Sequence, residues 1–509
     1  MHHGKDTSPQ KTIRKIKIIL KSAGLSIKEA SWKNPVPNVW SVHIHEKHCR
    51  PIFVNGKGAT KTLALASALG EFMERIITGY SFSEFALVDI KKQNNFIFSP
   101  DEKLFLPKKG HFPKGLLTKD LIDLYNITGE LEPFDFIDRM SVGTGKDIIF
   151  SLPFQRVRDK KTVYFPIGIL DNIYASNGMS AGNTKEESLV QALSEIFERY
   201  AKNTIIRKCI ALPDIPKSYY ASYEHINKAI EAIQNAGFRV LIKDASLGGK
   251  FPVVNVTIVE KKSKKSFLAF GAHPSFEIAL TRTVTELLQG QKIRSFRGLK
   301  KPNKNKRVVQ NHANIVTHFI DSSGEVSVDF FNKKPLYKCK TIDSFGTREE
   351  EELFLLSIFE RFKKDVYVNT VSAEGFYVCR VLVPGWSEVY PMDDLVYANN
   401  NRGRRLVNYV SRLPLCTNKE LNDFLILLDD STVGDHEIVA DVLGIALDEN
   451  SPWKRLCFGE LKLLILSDDG KNVFKKLFSS KGEMIGTKVH KKILKVFTKS
   501  RVIIAHEKN

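Results

Sequence analysis

Several absences narrow the field before any motif is considered. The six cysteines (Cys49, Cys209, Cys339, Cys379, Cys416 and Cys457) include no Cys-x-x-Cys pair, so a zinc ribbon and a cysteine-ligated iron–sulfur cluster both lack their usual ligand spacing. They read as reduced core or surface thiols. No apolar run approaches the roughly 18 residues that a membrane span requires, and the opening MHHGKDTSPQKTIRKIK has neither an apolar stretch nor a small-residue cleavage site. A soluble, cytoplasmic protein with no membrane partner is therefore expected. Walker-type and Rossmann glycine fingerprints are missing too, which argues against an ordinary P-loop or dinucleotide fold. Acidic residues are the scarce charge: 57 stand against 77 lysines and arginines, a formal net charge of +20. Such an excess suits phosphates, nucleic acid or an RNA-rich assembly without deciding among them. Much of it lies in local runs, KKSKK at 261–265 and KKPNKNKR at 300–307, which without aromatic interleaving read first as solvated loops.

At 509 residues the chain exceeds the size at which one hydrophobic core stops growing, so two domains are expected. The patterning is mixed α and β. A basic amphipathic helix near 10–23 precedes the strand-like VWSVHIHE at 39–46 and a long helical pattern at 61–78. DIIFSLPFQRV and KTVYFPIGIL read as strands, followed by a helix over 185–201; PVVNVTIVE and SFLAFGAH flank KKSKK as a β-hairpin before a third helix over 276–291. FYVCRVLVPG near 376–385 looks like the last strand of a catalytic domain over 1–388. A linker over 389–405 leads to an all-helical C-terminal domain over 406–509. Helical domains of this kind often dimerise, so a homodimer is the expected oligomer.

The most informative feature is an internal repeat. Gly58-Ala59-Thr60-Lys61, followed by Ser67-Ala68-Leu69-Gly70-Glu71-Phe72-Met73-Glu74-Arg75, recurs at constant offset as Gly182-Asn183-Thr184-Lys185 and Gln191-Ala192-Leu193-Ser194-Glu195-Ile196-Phe197-Glu198-Arg199, with eight matching positions. Each copy is a glycine turn, a threonine suited to cap a helix, and a helix with two carboxylates three residues apart. At 100° per residue, Ser67, Glu71, Glu74 and Arg75 share one face, and Glu187, Gln191, Glu195 and Glu198 share another. Stacked like charges repel, so the pattern calls for a compensating cation. Hard carboxylate oxygens without His or Cys partners suit Mg²⁺, which usually takes remaining ligands from water and phosphates, and that implies a nucleotide. The third helix places Arg282, Glu286 and Gln289 on one face, a phosphate-binding cation beside a further carboxylate.

At these residues the chain resembles the YcaO family, whose ATP-binding helices carry Ser-x-x-x-Glu-x-x-Glu-Arg, a Ser-Asn-Gly-x-small-Ala-Gly-Asn-Thr turn, and Arg-x-x-x-Glu-x-x-Gln. Here these are Ser67 to Arg75, Ser176 to Thr184, and Arg282 to Gln289. The stretches Gly4-Lys5-Asp6, EASWKNPVPNVWSVHI and PGWSEVYPMDDL extend the likeness over about residues 4–405 and point to the stand-alone bacterial subgroup. The resemblance implies an α/β ATP-binding fold and phosphorylation of a backbone amide oxygen, which activates that carbonyl for attack. It implies ATP contacts from Lys5, Thr12, Ser67, Ser180, Asn183, Glu187, Gln191, Arg199 and Arg282, and magnesium held by Glu71, Glu74, Glu195, Glu198 and Glu286. For Arg75 a structural salt bridge back to Glu71 competes with a role in binding.

The subgroup is associated with β-methylthiolation of an aspartate in a small-subunit ribosomal protein, as accessory to a radical methylthiotransferase of the RimO type. The absence of an iron–sulfur motif means that the chain is not itself the radical catalyst. Azoline-forming relatives typically end in a proline-rich tail, whereas this sequence ends VIIAHEKN. An ATP-dependent azoline- or thioamide-forming peptide modifier, and a non-catalytic scaffold for a methylthiotransferase, are the alternatives.

Overall fold

The computed structural model describes residues 4–87, 96–144, 146–340, 342–343, 346–467, 470–480 and 482–505. The N-terminal MHH and the last four residues of VIIAHEKN lie outside them. After a helix over Pro9–Ser22, strands β1 (Ile27–Val36), β2 (Val39–Glu46) and β3 (Cys49–Gly58) form an antiparallel sheet in that order. It leads directly into the first acidic helix, Lys61–Ile77. The apolar face of that helix, with Ala64, Ala68, Leu69 and Phe72 all at most 1 % exposed, is buried in the first core with Ile44, Ile52 and Val54 of β2 and β3.

Strands β4 (Lys103–Phe105), β5 (Ile149–Arg156), β6 (Thr162–Pro166) and β7 (Met179–Gly182) precede the second acidic helix, Lys185–Arg207. Next come β8 (Phe238–Asp244), β9 (Val253–Glu260) and β10 (Ser266–Ala272), an antiparallel sheet in the order β10-β9-β8, and the third helix, Phe276–Leu287. Finally β11 (Tyr367–Ala373) and β12 (Phe376–Leu382) complete a six-stranded sheet of order β4-β5-β11-β12-β7, with β6 against β5. On the second acidic helix Leu189, Leu193, Ile196 and Phe197, which fall opposite the acidic stripe at 100° per residue, are buried in a second core with Val381 and Leu268.

Three expected elements end differently. The strand expected through KTVYFPIGIL stops at Pro166, and Ile167 to Tyr174 turn into short helical segments. The second acidic helix runs six residues past 201. The third stops at Leu287, and the left-handed Gly290 (φ 68°) carries the chain away.

Beyond the linker, helices between Arg404 and Leu477 gather around Trp453, Phe424, Phe458 and Leu461, each at most 1 % exposed. The last helix, Lys488–Ala505, was expected with them and packs instead on the first core, where Phe497 meets Phe82 edge-on at 5.1 Å. Its buried Arg501 donates to the carbonyls of Phe98 (2.8 Å), Ile76 and Ile77 (3.3 Å). A cation thus satisfies the carbonyl end of the first acidic helix, where the helix dipole favours it. All six cysteines are unpaired. Among the described residues, no helix is long and apolar enough to cross a membrane.

Candidate functional site

Each copy of the repeat begins with a glycine that touches the helix it introduces. A Cβ on Gly58 would lie 2.7 Å from the Ala64 nitrogen, and one on Gly182 would lie 2.6 Å from the Ser188 nitrogen. Thr60 then accepts a hydrogen bond from the Leu63 N–H, and Thr184 one from the Glu187 N–H, both at 3.1 Å. These caps fix where each helix starts, and so fix which side of it carries the carboxylates.

Those sides share one cavity of about 1510 Å³. Its walls include Ser67, Glu71 and Glu74 from the first acidic helix, and Glu187, Gln191, Glu195, Glu198 and Arg199 from the second. Arg282, Glu286 and Gln289 come from the third helix, Asn183 from the turn, and Lys5 and Thr12 from the N-terminal segment. Elements more than 200 residues apart in sequence therefore converge. Ser180 is the one site residue expected from the sequence that does not line the cavity. It is 1 % exposed within β7, paired with Cys379 of β12, and its hydroxyl donates to the Ser188 carbonyl. It supports the helix start from behind, so an expected contact to ATP is replaced by a structural one.

The charges are unevenly partnered. Glu187 accepts from Lys5 Nζ at 2.9 Å, the Asp6 N–H at 3.1 Å and Asn183 Nδ2 at 3.2 Å. Burial pushes its carboxyl up, but Lys5 and these hydrogen bonds outweigh it and hold the group below its ordinary range. Glu74 is the opposite case: burial first, then Glu195 and Glu71, push it well above the carboxylate range. Burial also raises Glu71 and Glu198, each partly countered by cations, Arg75 and Lys57 for the former and Lys202 and Arg199 for the latter. Within the helices, Arg75 pairs with Glu71 at 2.6 Å and Arg199 with Glu195 at 3.2 Å. The salt bridge expected for Arg75 is thus present, while its Nε is buried without a partner.

Arg282 has the complementary problem. Burial, then Arg348, lowers its guanidinium to about 10, and among the described residues no carboxylate lies within ion-pair distance of it. Carboxylates wanting a cation therefore face a guanidinium wanting an anion. A divalent metal bound to a phosphate chain answers both, since Mg²⁺ takes carboxylate oxygens and phosphate oxygens together. Among the described residues no three acidic, His or Cys side chains close on a common point. The five glutamates are thus walls of the cavity and not a finished cage, consistent with a metal that brings water and phosphate ligands of its own.

The structure adds residues that sequence reasoning passed over. Lys57 of β3 forms an ion pair with Glu286. Lys202, one helical turn beyond Glu198, lines the cavity, donates to the His318 carbonyl at 2.9 Å, and is brought down to about 8 by burial and Arg199. Its helical spacing was a usable signal. Arg348, which holds Asp6 at 2.9 Å and pairs with Glu351, had none, because only the fold brings it to the N-terminal segment.

Comparison with known proteins gives the family. Residues 55–387 match the family described as YcaO cyclodehydratase, ATP- and Mg²⁺-binding, and residues 403–468 match the YcaO cyclodehydratase C-terminal domain. The chain is 43% identical over 466 residues to the ribosomal protein S12 methylthiotransferase accessory factor YcaO of Escherichia coli (strain K12), covering 91% of this chain and 79% of that protein. It is also 43% identical over 465 residues to an uncharacterized protein of Haemophilus influenzae, with the same coverage. Among solved structures, a heterocyclase in complex with substrate and cofactor superposes with a TM-score of 0.50 at 15% identity. That match covers 76% of this chain and 53% of the heterocyclase, and the likeness is one of fold.

Proposed function

The chain belongs to the YcaO family, and from that premise we propose that it binds Mg-ATP between its two acidic helices and transfers the γ-phosphoryl group to a backbone amide oxygen of an acceptor. We further propose that this activity serves β-methylthiolation of an aspartate in a small-subunit ribosomal protein, in the cytoplasm and beside a radical methylthiotransferase of the RimO type. The observation that carries the nucleotide reading is that carboxylates raised by burial, Glu74 foremost, share one cavity with Arg282, which has no carboxylate partner among the described residues. The name of the Escherichia coli relative supports the ribosomal role.

Bound Mg-ATP supplies a transferable phosphoryl group and a cation that neutralises its charge. The residues have to position and neutralise, because phosphoryl transfer asks little covalent help of a protein. Glu71, Glu74, Glu195, Glu198 and Glu286 hold the metal in this reading. Lys5, Thr12, Ser67, Asn183, Gln191, Arg199 and Arg282 orient the nucleotide, with Glu187 fixing Lys5. At about 1510 Å³ the cavity exceeds the roughly 300–1,000 Å³ usual for one small ligand, leaving room for an acceptor segment.

The test combines Glu71→Ala with Glu195→Ala. ATP turnover is expected to fall by on the order of a hundredfold or more, since several kcal/mol of charge stabilisation is removed; turnover equal to wild type defeats the nucleotide reading. In a deletion strain, wild type should restore the methylthio mark and the double variant should not. Restoration by both would turn the protein into a scaffold.

A further inference from the structure

The charge excess is not spread evenly. Residues 261–265 and 291–310 contain twelve lysines and arginines and no acidic residue, which is more than half of the formal +20 in under a tenth of the chain. In sequence these are two separate loops. In the fold they are neighbours: KKSKK is the turn between β9 and β10, and the second run returns to pair with the start of β10. Ser266 and Lys300 exchange both backbone hydrogen bonds, at 2.8 and 3.0 Å. Across the sheet the row continues from Lys300 through Ser266 and Val259 to Arg239, another exposed cation.

This surface is held in place. Phe296, in the middle of the second run, packs on Phe267 of β10 at 5.2 Å and on Phe238 of β8 at 5.9 Å. Asn303 continues the anchoring by a bridge to Ser327. All twelve basic side chains are exposed, and among the described residues only Lys306, on Asp329 at 2.8 Å, has an ion-pair partner. Bringing so many uncompensated cations onto one sheet end costs self-repulsion that a polyanion would relieve.

We infer that this sheet end docks RNA through its phosphate backbone. Two features favour a phosphodiester chain over a lipid surface. The one aromatic side chain of the two runs, Phe296, faces the sheet and is not available for insertion, and a lone exposed valine, Val308, falls short of the row of exposed aromatic or aliphatic anchors that interfacial segments present. Asn305, exposed between Lys304 and Lys306, accepts from the Arg307 N–H through its Oδ1, which leaves its amide N–H₂ as a donor of the kind that binds phosphate and sugar. The choice of RNA over DNA rests on the ribosomal reading proposed above; the choice of a phosphodiester chain does not.

The experiment measures binding of the full chain to an unstructured 30-nucleotide RNA, a DNA duplex of equal length, and vesicles of phosphatidylcholine with phosphatidylserine. With about six phosphates neutralised, the RNA dissociation constant should rise on the order of a hundredfold or more between 50 and 200 mM salt. Reversing four charges, Lys261→Glu, Lys264→Glu, Lys300→Glu and Lys301→Glu, should weaken RNA binding by at least tenfold and flatten that salt dependence. A matched control carrying Lys28→Glu, Lys47→Glu, Lys492→Glu and Lys495→Glu should change it by less than threefold. Retained thermal stability and nucleotide binding in both variants shows that they are folded and keeps the result separate from the ATP reading. Equal losses in the two variants, or no RNA binding at 50 mM salt, overturn the inference. Tighter binding to vesicles overturns it in favour of a membrane, and tighter binding to duplex DNA overturns the assignment to RNA.

Discussion

In the first copy of the repeat a Cβ on Gly58 would meet the Ala64 nitrogen at 2.7 Å; in the second, one on Gly182 would meet the Ser188 nitrogen at 2.6 Å. Thr60 and Thr184 cap with backbone angles that agree within 3°, and Arg75 reaches back to Glu71 as Arg199 does to Glu195. The copies part where the side chains carry charge. Where the second has Glu187, gripped by Lys5, the first has Leu63. Where the second continues to Lys202, four residues beyond Glu198, the first stops at Thr78, whose hydroxyl donates to the Glu74 carbonyl at 2.7 Å. One half of the cavity therefore brings internal cations to its carboxylates, and the other leaves Glu74 short of one. The two copies share their geometry and divide the electrostatic load, and the cation-poor side, with Glu74, is the side with most to gain from a metal.

The hardest test of that comparison removes one carboxylate from each copy in turn. Glu74→Gln and Glu198→Gln should each lower ATP turnover by on the order of a hundredfold, measured at saturating nucleotide over a magnesium titration. A loss confined to one of them would mean that only one copy reaches the metal, and the symmetric reading would fail.

Next in size is the pH dependence of the metal-free protein. The carboxyl of Glu74 is raised in the fold, by burial first and then by Glu195 and Glu71, so between the ordinary glutamate range and its raised value the folded state binds more protons than the unfolded one. Stability from this group is then complete below the unfolded pKa and is lost as pH rises. Melting in chelator should accordingly show a temperature that declines from mildly acidic pH toward neutrality, with a shallower decline in Glu74→Gln than in Glu198→Gln. Mg-ATP should flatten the wild-type curve. An identical slope in both variants would erase the asymmetry.

A third measurement moves the difference itself. Lys202→Met removes the cation that acts most strongly on the second copy's Glu198 and leaves the buried His318 carbonyl without its donor, at a cost of about 1–3 kcal/mol. Lys202 is lowered to about 8 from 10.5. The unfolded state therefore binds more protons between those values, and the wild type should gain stability there as pH rises. The variant should lack that gain, and its Glu198 should behave as Glu74 does.

Much of this site was legible before folding because its signals are local. A cap threonine, a helical period and a constant offset between two motifs survive translation into coordinates nearly unchanged. What failed to show in the sequence depends on long-range pairing. Ser180 stands in a turn-like Ser-Asn-Gly-Met-Ser sequence and reads as exposed, yet pairing of β7 with β12 buries it. The last helix has an amphipathic pattern like that of its neighbours, and only the fold shows that its apolar face meets the first core at Phe82 while Arg501 meets the carbonyls of Ile76 and Phe98. Lys57 and Arg348 sit on a strand and a helix with no motif of their own, and their partners Glu286 and Asp6 are more than 200 residues away.

The smallest expected effect sharpens the comparison most finely, because it probes the part of the repeat that is alike. Thr60→Ala removes one cap hydrogen bond and should cost about 1 kcal/mol. Thr184→Ala removes the equivalent bond, but Thr184 also donates to Asp6, which in turn accepts from Arg348 and is joined through its N–H to Glu187. That loss should exceed the first and should weaken nucleotide binding as well, since it loosens the segment carrying Lys5. Chemical denaturation and nucleotide titration of the two variants side by side separate the contributions. Equal stability losses with unchanged nucleotide affinity would show that the N-terminal segment is held without Thr184, and that the second copy differs from the first only in its cations.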